Sequence, residues 1–453
     1  MSDFRFSPRP DHAGEILPGN IPSNVREVME QTAQKINDIV TDFYDEEFGG
    51  FAAPPQYAPK DLSTPTLDLL CTLAEKGKLD AAQGQMLEAT LDGMLKGDIF
   101  DRSTGGFFRR AARRDWSSPH GETTARDHAE IVEICLRASR ALEVGRWAES
   151  ARQVLAYVRQ CLGKDGGGFY GSQDTRREGG AAAAEATPST DQVLYVDANA
   201  RLASAHFLAH RLLGDQAYLR EGLKTLRVIE DLCSDGDDLQ HCYDGNADTV
   251  PGMLRDYTEL ALAYLDAHAA HGDPHYLDRA LSLAEIIRER FALPDGCFTD
   301  TEHDGGGEVG RLHQPHVCLE QNARTALLCH KISLVRNDPS WEQQGVATLI
   351  VTAPEAEKAG PRGAIWLTSH LEISVPAPHI RVLLCSRKRD GELHRSVNFV
   401  PERHAVIEID EGGVEEPLAY VCRQSDCFPP TSDPEELKIF LTPQGAAIPE
   451  SRH

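Results

Sequence analysis

A loop near residue 120 concentrates side chains that can move protons. His120 and Glu122 lie two residues apart, and Asp127 follows at the start of a helical pattern. Imidazole titrates near neutral pH and a nearby carboxylate raises its pKa, so a His–Glu pair can act as a general acid and base. The alternative is that both residues tether the following helix. Asp127 also fits a structural role, because Thr124 and Asp127 have the spacing of a capping box.

A second acidic position stands far from this loop in sequence. Asp256 lies in the first turn of another helical pattern, where the helix dipole favours negative charge. Two carboxylates on opposite walls of a pocket would suit glycoside hydrolysis, whereas a pair of histidines would suit proton abstraction and return, as in an epimerase. We therefore predict His120, Glu122 and Asp256 as catalytic residues and leave both reaction types open.

Aromatic and amide side chains supply candidate substrate contacts, because rings can stack on a sugar face and amides can bond to hydroxyl groups. The predicted substrate-binding residues are Phe107, Trp116, Asp127, Tyr170, Asn199, Tyr257 and Asn322. The alternative is structural: aromatic residues also anchor loops, and Tyr257 falls on the apolar stripe of its helix. No His-x-x-x-His pair or Cys/His cluster has ligand spacing, so we predict neither a metal nor another cofactor.

Amphipathic helices must position these residues, since apolar side chains recur at helical spacing through most of the chain. The predicted helices cover about 23–43, 64–76, 79–96, 124–142, 145–162, 192–213, 216–233, 253–270, 274–291 and 317–335, with weaker ones over 341–375. Three short strands, His379–Cys385, His404–Ile409 and Pro417–Cys422, follow, and a last helix begins near Asp433.

An internal repeat organises the helices. Phe51, Phe107 and Phe169 each close a Gly-Gly-Phe triplet, and the triplets recur about every 60 residues. Phe298, in Asp-Gly-Cys-Phe, lies about two periods further on. One helical hairpin cannot bury its apolar face alone, so the units must stack or close on themselves. We predict a mainly α fold, an (α/α)6 toroid, with the Gly-aromatic loops gathered on one rim.

The predicted domains are an N-terminal arm over 1–21, the toroid over 22–375 and a small α/β segment over 376–453. The net charge of −25 argues against nucleic acid and an anionic membrane surface as partners. Eleven cysteines without a signal peptide predict reduced thiols in the cytoplasm. Cys422 and Cys427 do not form a C-x-x-C motif, and we predict two plain thiols there.

Six ordered motifs carry a resemblance to a known family. They are Asp45-x-x-Phe48-Gly49-Gly50-Phe51, Gly105-Gly106-Phe107-x-Arg109, Trp116-x-x-Pro119-His120-x-Glu122 followed by Asp127, Gly167-Gly168-Phe169-Tyr170, Gly252-x-Leu254-x-Asp256-Tyr257, and Ala419-Tyr420-Val421-Cys422-x-x-x-x-Cys427-x-Pro429-Pro430-Thr431. Over about 23–443 the chain resembles thioredoxin-domain-containing, spermatogenesis-associated-type proteins. In that family a thioredoxin-like domain precedes a six-hairpin-glycosidase-like toroid.

The departures from the family pattern concern both domains. The thioredoxin-like domain has no counterpart here, although Phe4–Pro10 looks like its lead-in, and Gly121 and Thr123 replace the usual Phe and Lys. The resemblance implies a toroid that binds or acts on a carbohydrate-like small molecule in a rim pocket, as a hydrolase or an epimerase. The alternative is a non-catalytic scaffold that recruits a separate thioredoxin-like partner.

Overall fold

Helices dominate the chain in the computed structural model. The model describes residues 23–174, 188–246, 250–302, 316–375, 377–385, 392–400, 402–412, 414, 416–423 and 426–441. The predicted arm over 1–21 lies outside the described residues.

Twelve long helices alternate between an outer and an inner position in this part of the chain. They are α1 (Ser23–Asp42), α2 (Thr64–Glu75), α3 (Ala81–Lys96), α4 (Ala125–Ala141), α5 (Gly145–Tyr157), α6 (Val196–Leu213), α7 (Gln216–Cys233), α8 (Leu254–His271), α9 (Pro274–Arg290), α10 (Leu319–Arg336), α11 (Pro339–Lys358) and α12 (Ala364–Ser374). The even-numbered helices contact one another in a closed ring, and the odd-numbered helices surround them. The predicted (α/α)6 toroid is confirmed.

The number of buried faces of a helix depends on whether the helix is inner or outer. Helix α6 is inner and touches neighbours on every side, so nearly every residue of Val196–His210 is buried. Helix α7 is outer and buries one stripe, consisting of Gly222, Thr225, Leu226, Ile229 and Cys233. An amphipathic stripe is what an outer helix needs, since its other face meets water.

The two ends of the toroid differ. Long connections lead from each of α1, α3, α5, α7 and α9 to the next inner helix, and we call this end the loop rim. Short strands tie the rim loops: β1 (Lys60–Asp61), β2 (Phe100–Asp101), β3 (Gly106–Phe107), β4 (Arg110–Ala111), β5 (Glu122–Thr124), β6 (Ser172–Asp174), β7 (Ser189–Asp191), β8 (Leu194–Tyr195), β9 (Ser234–Asp235), β10 (Asp238–Leu239) and β11 (Cys242–Tyr243). Tight turns join inner to outer helices at the opposite end, the turn face.

A small α/β segment covers the turn face. Its sheet has the order β13-β12-β14-β15, with the first pair parallel and the others antiparallel. Its elements are β12 (His379–Cys385), α13 (Glu392–Ser396), β13 (Val406–Gly412), β14 (Leu418–Arg423), β15 (Asp426–Cys427) and α14 (Pro434–Leu441). The backbone N–H of Ile409 donates to Nε2 of His268, at the end of α8, over 3.1 Å.

Arg403 anchors this segment in the toroid. Its guanidinium donates to both carboxylate oxygens of Asp266, over 2.9 and 2.8 Å, and to Glu133 over 3.0 Å. Its backbone N–H donates to Glu75 over 3.1 Å. One residue therefore joins the segment to α2, α4 and α8.

The structure corrects one prediction in the same segment. Cys422 and Cys427 face each other across β14 and β15 and form a disulfide, so they are not two plain thiols. Antiparallel pairing brings their Cα atoms to 4.0 Å, which the spacing along the sequence does not show.

None of the described helices has both the length and the apolar composition to cross a bilayer.

Candidate functional site

The fourth residue of four inner helices ties a rim loop to the ring. In α4, Nε2 of His128 accepts from the backbone N–H of Phe107 over 3.0 Å. In α6, the amide of Asn199 accepts from the N–H of Phe169 and donates to its carbonyl, over 2.8 and 2.9 Å.

The same position repeats this tether in α8 and α10. Asn322 makes the same two bonds with Phe298, over 2.8 and 2.9 Å. The hydroxyl of Tyr257 accepts from the N–H of Leu239 over 3.0 Å. Asn199, Tyr257 and Asn322 are therefore buried loop anchors in this structure.

Two of the predicted aromatic contacts lie inside the core. Trp116 is 1% exposed, and its indole N–H donates to the carbonyl of Phe48 over 2.9 Å. A Cβ added at Gly50, Gly93 or Gly97 would lie within 3.0 Å of Trp116, so these glycines make room for its ring. Phe107 is also buried, against Phe100. Neither ring offers a face to a ligand here, whereas Tyr170 is only partly buried.

The residues of the loop near residue 120 lie on the rim beside Arg109. His120 is exposed, and Glu122 accepts from Arg109 over 3.4 Å. The same guanidinium lies 3.9 Å from Asp127. Burial, together with the charge of Glu130, raises the pKa of Asp127 to about 6. Thr124 caps α4 by accepting from the N–H of Asp127 over 3.1 Å, which is one of the two bonds of the predicted capping box.

Asp256 lies in a different group on the rim, with a histidine that the sequence analysis missed. Nδ1 of His241 lies 2.9 Å from Oδ2 and 3.1 Å from Oδ1 of Asp256. The backbone N–H groups of Met253 and Asp197 also donate to this carboxylate, over 2.8 and 3.2 Å. Asp256 is fully buried, whereas the side chain of His241 is 16% exposed. A buried carboxylate thus fixes an imidazole that solvent can reach.

The pKa values of Asp256 and His241 depend on each other. Burial raises the pKa of Asp256 to about 6, and the nearby Asp197 adds to the rise, while the bond to His241 opposes it. The hydrogen bond to Asp256 raises the pKa of His241 above its ordinary value. The pair therefore holds a proton between a buried carboxyl and a partly exposed imidazole, an arrangement that suits a general acid or base.

Asp197 joins the pair to the rest of the rim. Ligand atoms of Asp197, His241 and Asp256 lie within 4.8 Å of one another, so the three could hold a divalent cation. However, Asp256 already accepts three hydrogen bonds, and Asp197 lies 3.5 Å from Arg126. These contacts satisfy the group without an ion. Arg126 also forms an ion pair with Glu320 at the start of α10.

A second histidine–aspartate pair flanks the start of α8. Nδ1 of His316 lies 2.5 Å from Oδ2 of Asp300, and the side chain of His316 is 77% exposed. The carbonyl of Asp300 accepts from the N–H of Leu254, the first residue of α8, over 2.9 Å. The Asp256 and Asp300 pairs therefore belong to loops that meet at one helix end.

The ring beneath the rim is filled by ion pairs. Arg201 reaches Glu130 on one neighbour and, over 2.9 Å, Glu259 on the other. Arg324 then binds Glu259 over 2.6 Å. Burial opposes the charge of Glu259, but the two arginines outweigh it and lower its pKa to about 2. These ion pairs link α4, α6, α8 and α10 beneath the rim groups.

The spacing of the repeat, though not its Gly-Gly-Phe marker, points to the loop that carries His241. About one period separates Phe169 from the loop of Ser234–Tyr243, and the Gly-aromatic series skips this loop. Because its tether comes from Tyr257 and its anchored residue is Leu239, the loop has no Gly-Gly-Phe triplet to mark it. The structure thus brings Asp256 together with His241, and Glu122 together with Asp127, in two separate groups on the rim.

Comparison with known proteins supports the predicted resemblance. Spermatogenesis-associated protein 20 of Mus musculus is 33% identical over 135 residues, which is 29% of this chain and 16% of that protein. The human protein of the same name is 32% identical over 135 residues, again 29% of this chain and 16% of its own length. The matched part is therefore a small fraction of these relatives. No protein-family model matches the sequence.

Solved structures share the toroid. Cellobiose 2-epimerase from Bacillus thermoamylovorans superposes with a TM-score of 0.59 at 12% identity, covering 73% of this chain and 87% of the epimerase. A family 76 glycoside hydrolase (mannosidase) from Bacteroides thetaiotaomicron superposes with a TM-score of 0.56 at 11% identity, covering 77% and 98%. At these identities the likeness shows the six-hairpin fold alone.

Proposed function

We propose that the chain binds a carbohydrate-like small molecule at the loop rim and transfers a proton on it, as an epimerase-type enzyme. The observation that carries the proposal is the partly exposed His241 held by the fully buried Asp256. In this scheme His241 is the acid–base residue, and Asp256 is a positioning residue that orients its Nδ1 and leaves Nε2 for the substrate. The sugar-acting enzymes that share the fold support this class of ligand.

The geometry favours proton transfer over hydrolysis. A glycosidase needs two carboxyl groups that reach the scissile bond. Asp256 is fully buried and bonded three times, so it cannot do so. The accessible carboxylates that a hydrolase would use are Glu122 and Asp127, which share Arg109. In this alternative, a hydrolase, the residues around His120 remain candidates for catalysis.

The chemistry needs one proton and no redox partner. Nε2 of a neutral His241 would take the proton from a carbon beside a sugar carbonyl, and the C–H electron pair would move into an enolate. His316, fixed by Asp300, would return a proton to the opposite face and restore the carbonyl. The two imidazoles lie on loops that flank the start of α8, and in this scheme they act on one ligand from two sides.

Solvent exchange tests this proposal. A panel of reducing mono- and disaccharides is incubated with the protein in deuterated water and followed by NMR, which detects both deuterium at the carbon beside the carbonyl and newly formed reducing ends. We expect deuterium to be incorporated and His241→Asn to slow the incorporation at least about 100-fold. His275→Asn, an exposed histidine at the turn face, is the matched control and should change the rate less than about threefold.

Three results would contradict the proposal: no exchange with any sugar, glycoside cleavage in place of exchange, or full exchange in His241→Asn. The positioning role of Asp256 has its own readout. Asp256→Asn removes the charge that raises the pKa of His241, so the basic form persists at lower pH and the acidic limb of the pH–rate profile should move down. An unshifted profile would remove Asp256 from the mechanism.

A thioredoxin-like partner is a second candidate, supported by the disulfide of Cys422 and Cys427. Cys427 is exposed, so a partner dithiol could reduce the bond to two thiols and become a disulfide itself. We keep the cytoplasm as the proposed compartment. Disulfides in the cytoplasm are usually transient and redox-active, which fits a bond that a thioredoxin-like partner reduces. A thioredoxin whose resolving cysteine is replaced by Ser should form a mixed disulfide with the chain, but not with Cys427→Ser. Equal capture of both would remove this candidate.

A further inference from the structure

A cavity of about 200 Å³ lies at the turn face, at the opposite end of the toroid from the proposed sugar site. The C-terminal ends of α2, α4 and α6 form its walls. Its polar lining consists of Glu75, Arg137, Arg140 and Arg211. Three arginines around one glutamate are unusual in a chain whose net charge is −25.

Two of the four charges are neutralised within the wall. Glu75 accepts from Nε and Nη2 of Arg137, over 2.6 and 3.0 Å, and from the N–H of Arg403. Arg137 also pairs with Asp68. These two lining residues are therefore engaged with each other.

The other two arginines have different surroundings. Arg140 donates to the carbonyls of Asn398 and Val400, over 3.2 and 3.1 Å, which are neutral acceptors. Arg211 has no ion-pair partner among the described residues, and its Nε is buried without a hydrogen-bond acceptor. A guanidinium Nε that is buried without an acceptor costs free energy, so an anion that supplies the acceptor would be bound.

The surroundings of Arg211 strengthen this conclusion. Burial and the charges of Arg403 and Arg140 lower the pKa of Arg211 to about 10, although Asp266 opposes them. Asp266 is itself engaged by two nitrogens of Arg403. Arg211 also lines a smaller adjoining cavity with Lys331, whose pKa burial lowers to about 8. Cations thus converge on this point from several helices.

We propose that this cavity binds a small doubly charged oxyanion, a phosphate group or a short dicarboxylate, with Arg211 as its principal ligand and Arg140 as a second positive charge. A planar guanidinium matches such oxygens in a two-bond fork. The volume suits an anion of this size and is below the roughly 300–1,000 Å³ of pockets that enclose drug-sized ligands. Arg140 holds the chain at Asn398 and Val400, so the bound anion would tie the α/β segment to the toroid.

The test measures binding and stability on the full chain. Inorganic phosphate, glycerol phosphate and malonate are titrated by calorimetry and by thermal shift, with sodium chloride at equal ionic strength as the reference. We expect saturable binding and a rise in Tm that chloride does not reproduce. Glycerol phosphate separates a free anion from an ester group, and malonate separates phosphate from a dicarboxylate.

Variants of Arg211 connect the binding to the cavity. Arg211→Gln should weaken the binding at least tenfold, Arg211→Lys should weaken it less, and Arg227→Gln, an exposed arginine on α7, should leave it unchanged. In chloride alone Arg211→Gln should melt no lower than the parent, because it loses an unpaired charge. The proposal is overturned if no anion protects beyond chloride, if Arg211→Gln keeps the parent's response, or if Arg211→Gln is destabilised or unfolded in chloride.

Discussion

Replacing Arg403 with Met should destabilise the protein more than removal of any surface ion pair. Arg403 is 7% exposed, and its guanidinium serves Asp266 and Glu133 together. Burial disfavours its charge, yet these carboxylates hold its pKa well above the ordinary value. Loss of one partner of a buried pair leaves uncompensated charge and costs about 3–5 kcal/mol. Because Asp266 and Glu133 keep some solvent contact, we expect about 3 kcal/mol.

Equilibrium urea unfolding of the full chain, followed by circular dichroism, measures this cost. Arg381→Met is the matched control, since Arg381 pairs with Asp410 over 2.6 Å while both side chains are about one third exposed. An exposed pair of this kind contributes at most about 1 kcal/mol. If Arg403→Met costs no more than Arg381→Met, the anchoring role described above is refuted.

A double-mutant cycle separates the pair from its surroundings. Asp266→Asn removes the facing charge, so the combined variant should cost less than the two single changes together. For contacting residues the coupling is typically about 0.5–3 kcal/mol, and we expect a value in the upper half of that range. Simple additivity would show that Arg403 acts through packing rather than through its charge.

Further predictions concern the ring and its tethers. Glu259 has a pKa of about 2 and an unfolded value near 4.3, so its ionised form stabilises the fold above about pH 4 and this contribution is lost as the pH falls through 2. Glu259→Gln should therefore cost about 2–3 kcal/mol at pH 7, and urea midpoints should show the difference shrinking toward pH 2. Gly93→Ala places a Cβ 2.5 Å from a backbone oxygen and should lower the Tm, whereas Gly84→Ala on the same helix meets nothing closer than 3.7 Å and should raise it. Tyr257→Phe leaves a buried backbone N–H unpaired and should cost about 1–3 kcal/mol in urea, whereas Tyr170→Phe should cost less than about 0.5.

Periodicity predicts most of this fold because the inner and outer helices bury apolar stripes at regular spacing. The predicted strand His379–Cys385 coincides with β12, and the closing helices α11 and α12 are longer and better formed than their weak pattern suggests. Helix α12 buries polar side chains such as Ser369 and Glu372 as well as apolar ones, so it has little amphipathic signal although it completes the inner ring. When every face of a helix is buried, no apolar stripe stands out against a polar face. Amphipathic periodicity, on which the prediction of a helix depends, is then weak.

The site was harder to predict because its partners come from different repeats. Asp256 was found from its place in a helix, whereas His241 reaches it from a loop that lacks the repeat's marker. Trp116 and Asn199 drew attention for the same chemistry that makes them good anchors, namely a large ring and a two-sided amide. A sequence records these residue types but not the direction in which a ring or an amide points.

The charged ring also bears on how the hairpins find their places during folding. The sixth residue is Glu130 in α4, Arg201 in α6, Glu259 in α8 and Arg324 in α10. Repeated hairpins of similar shape could exchange neighbours, and apolar contacts would discriminate poorly among them. Alternating signs make a skipped or duplicated neighbour place like charges together in a region of low dielectric, which disfavours misassembled orders. A Glu259→Arg exchange should therefore raise the yield of misfolded or domain-swapped protein. Inverting all four positions (Glu130→Arg, Arg201→Glu, Glu259→Arg and Arg324→Glu) keeps the signs alternating and should restore correct closure.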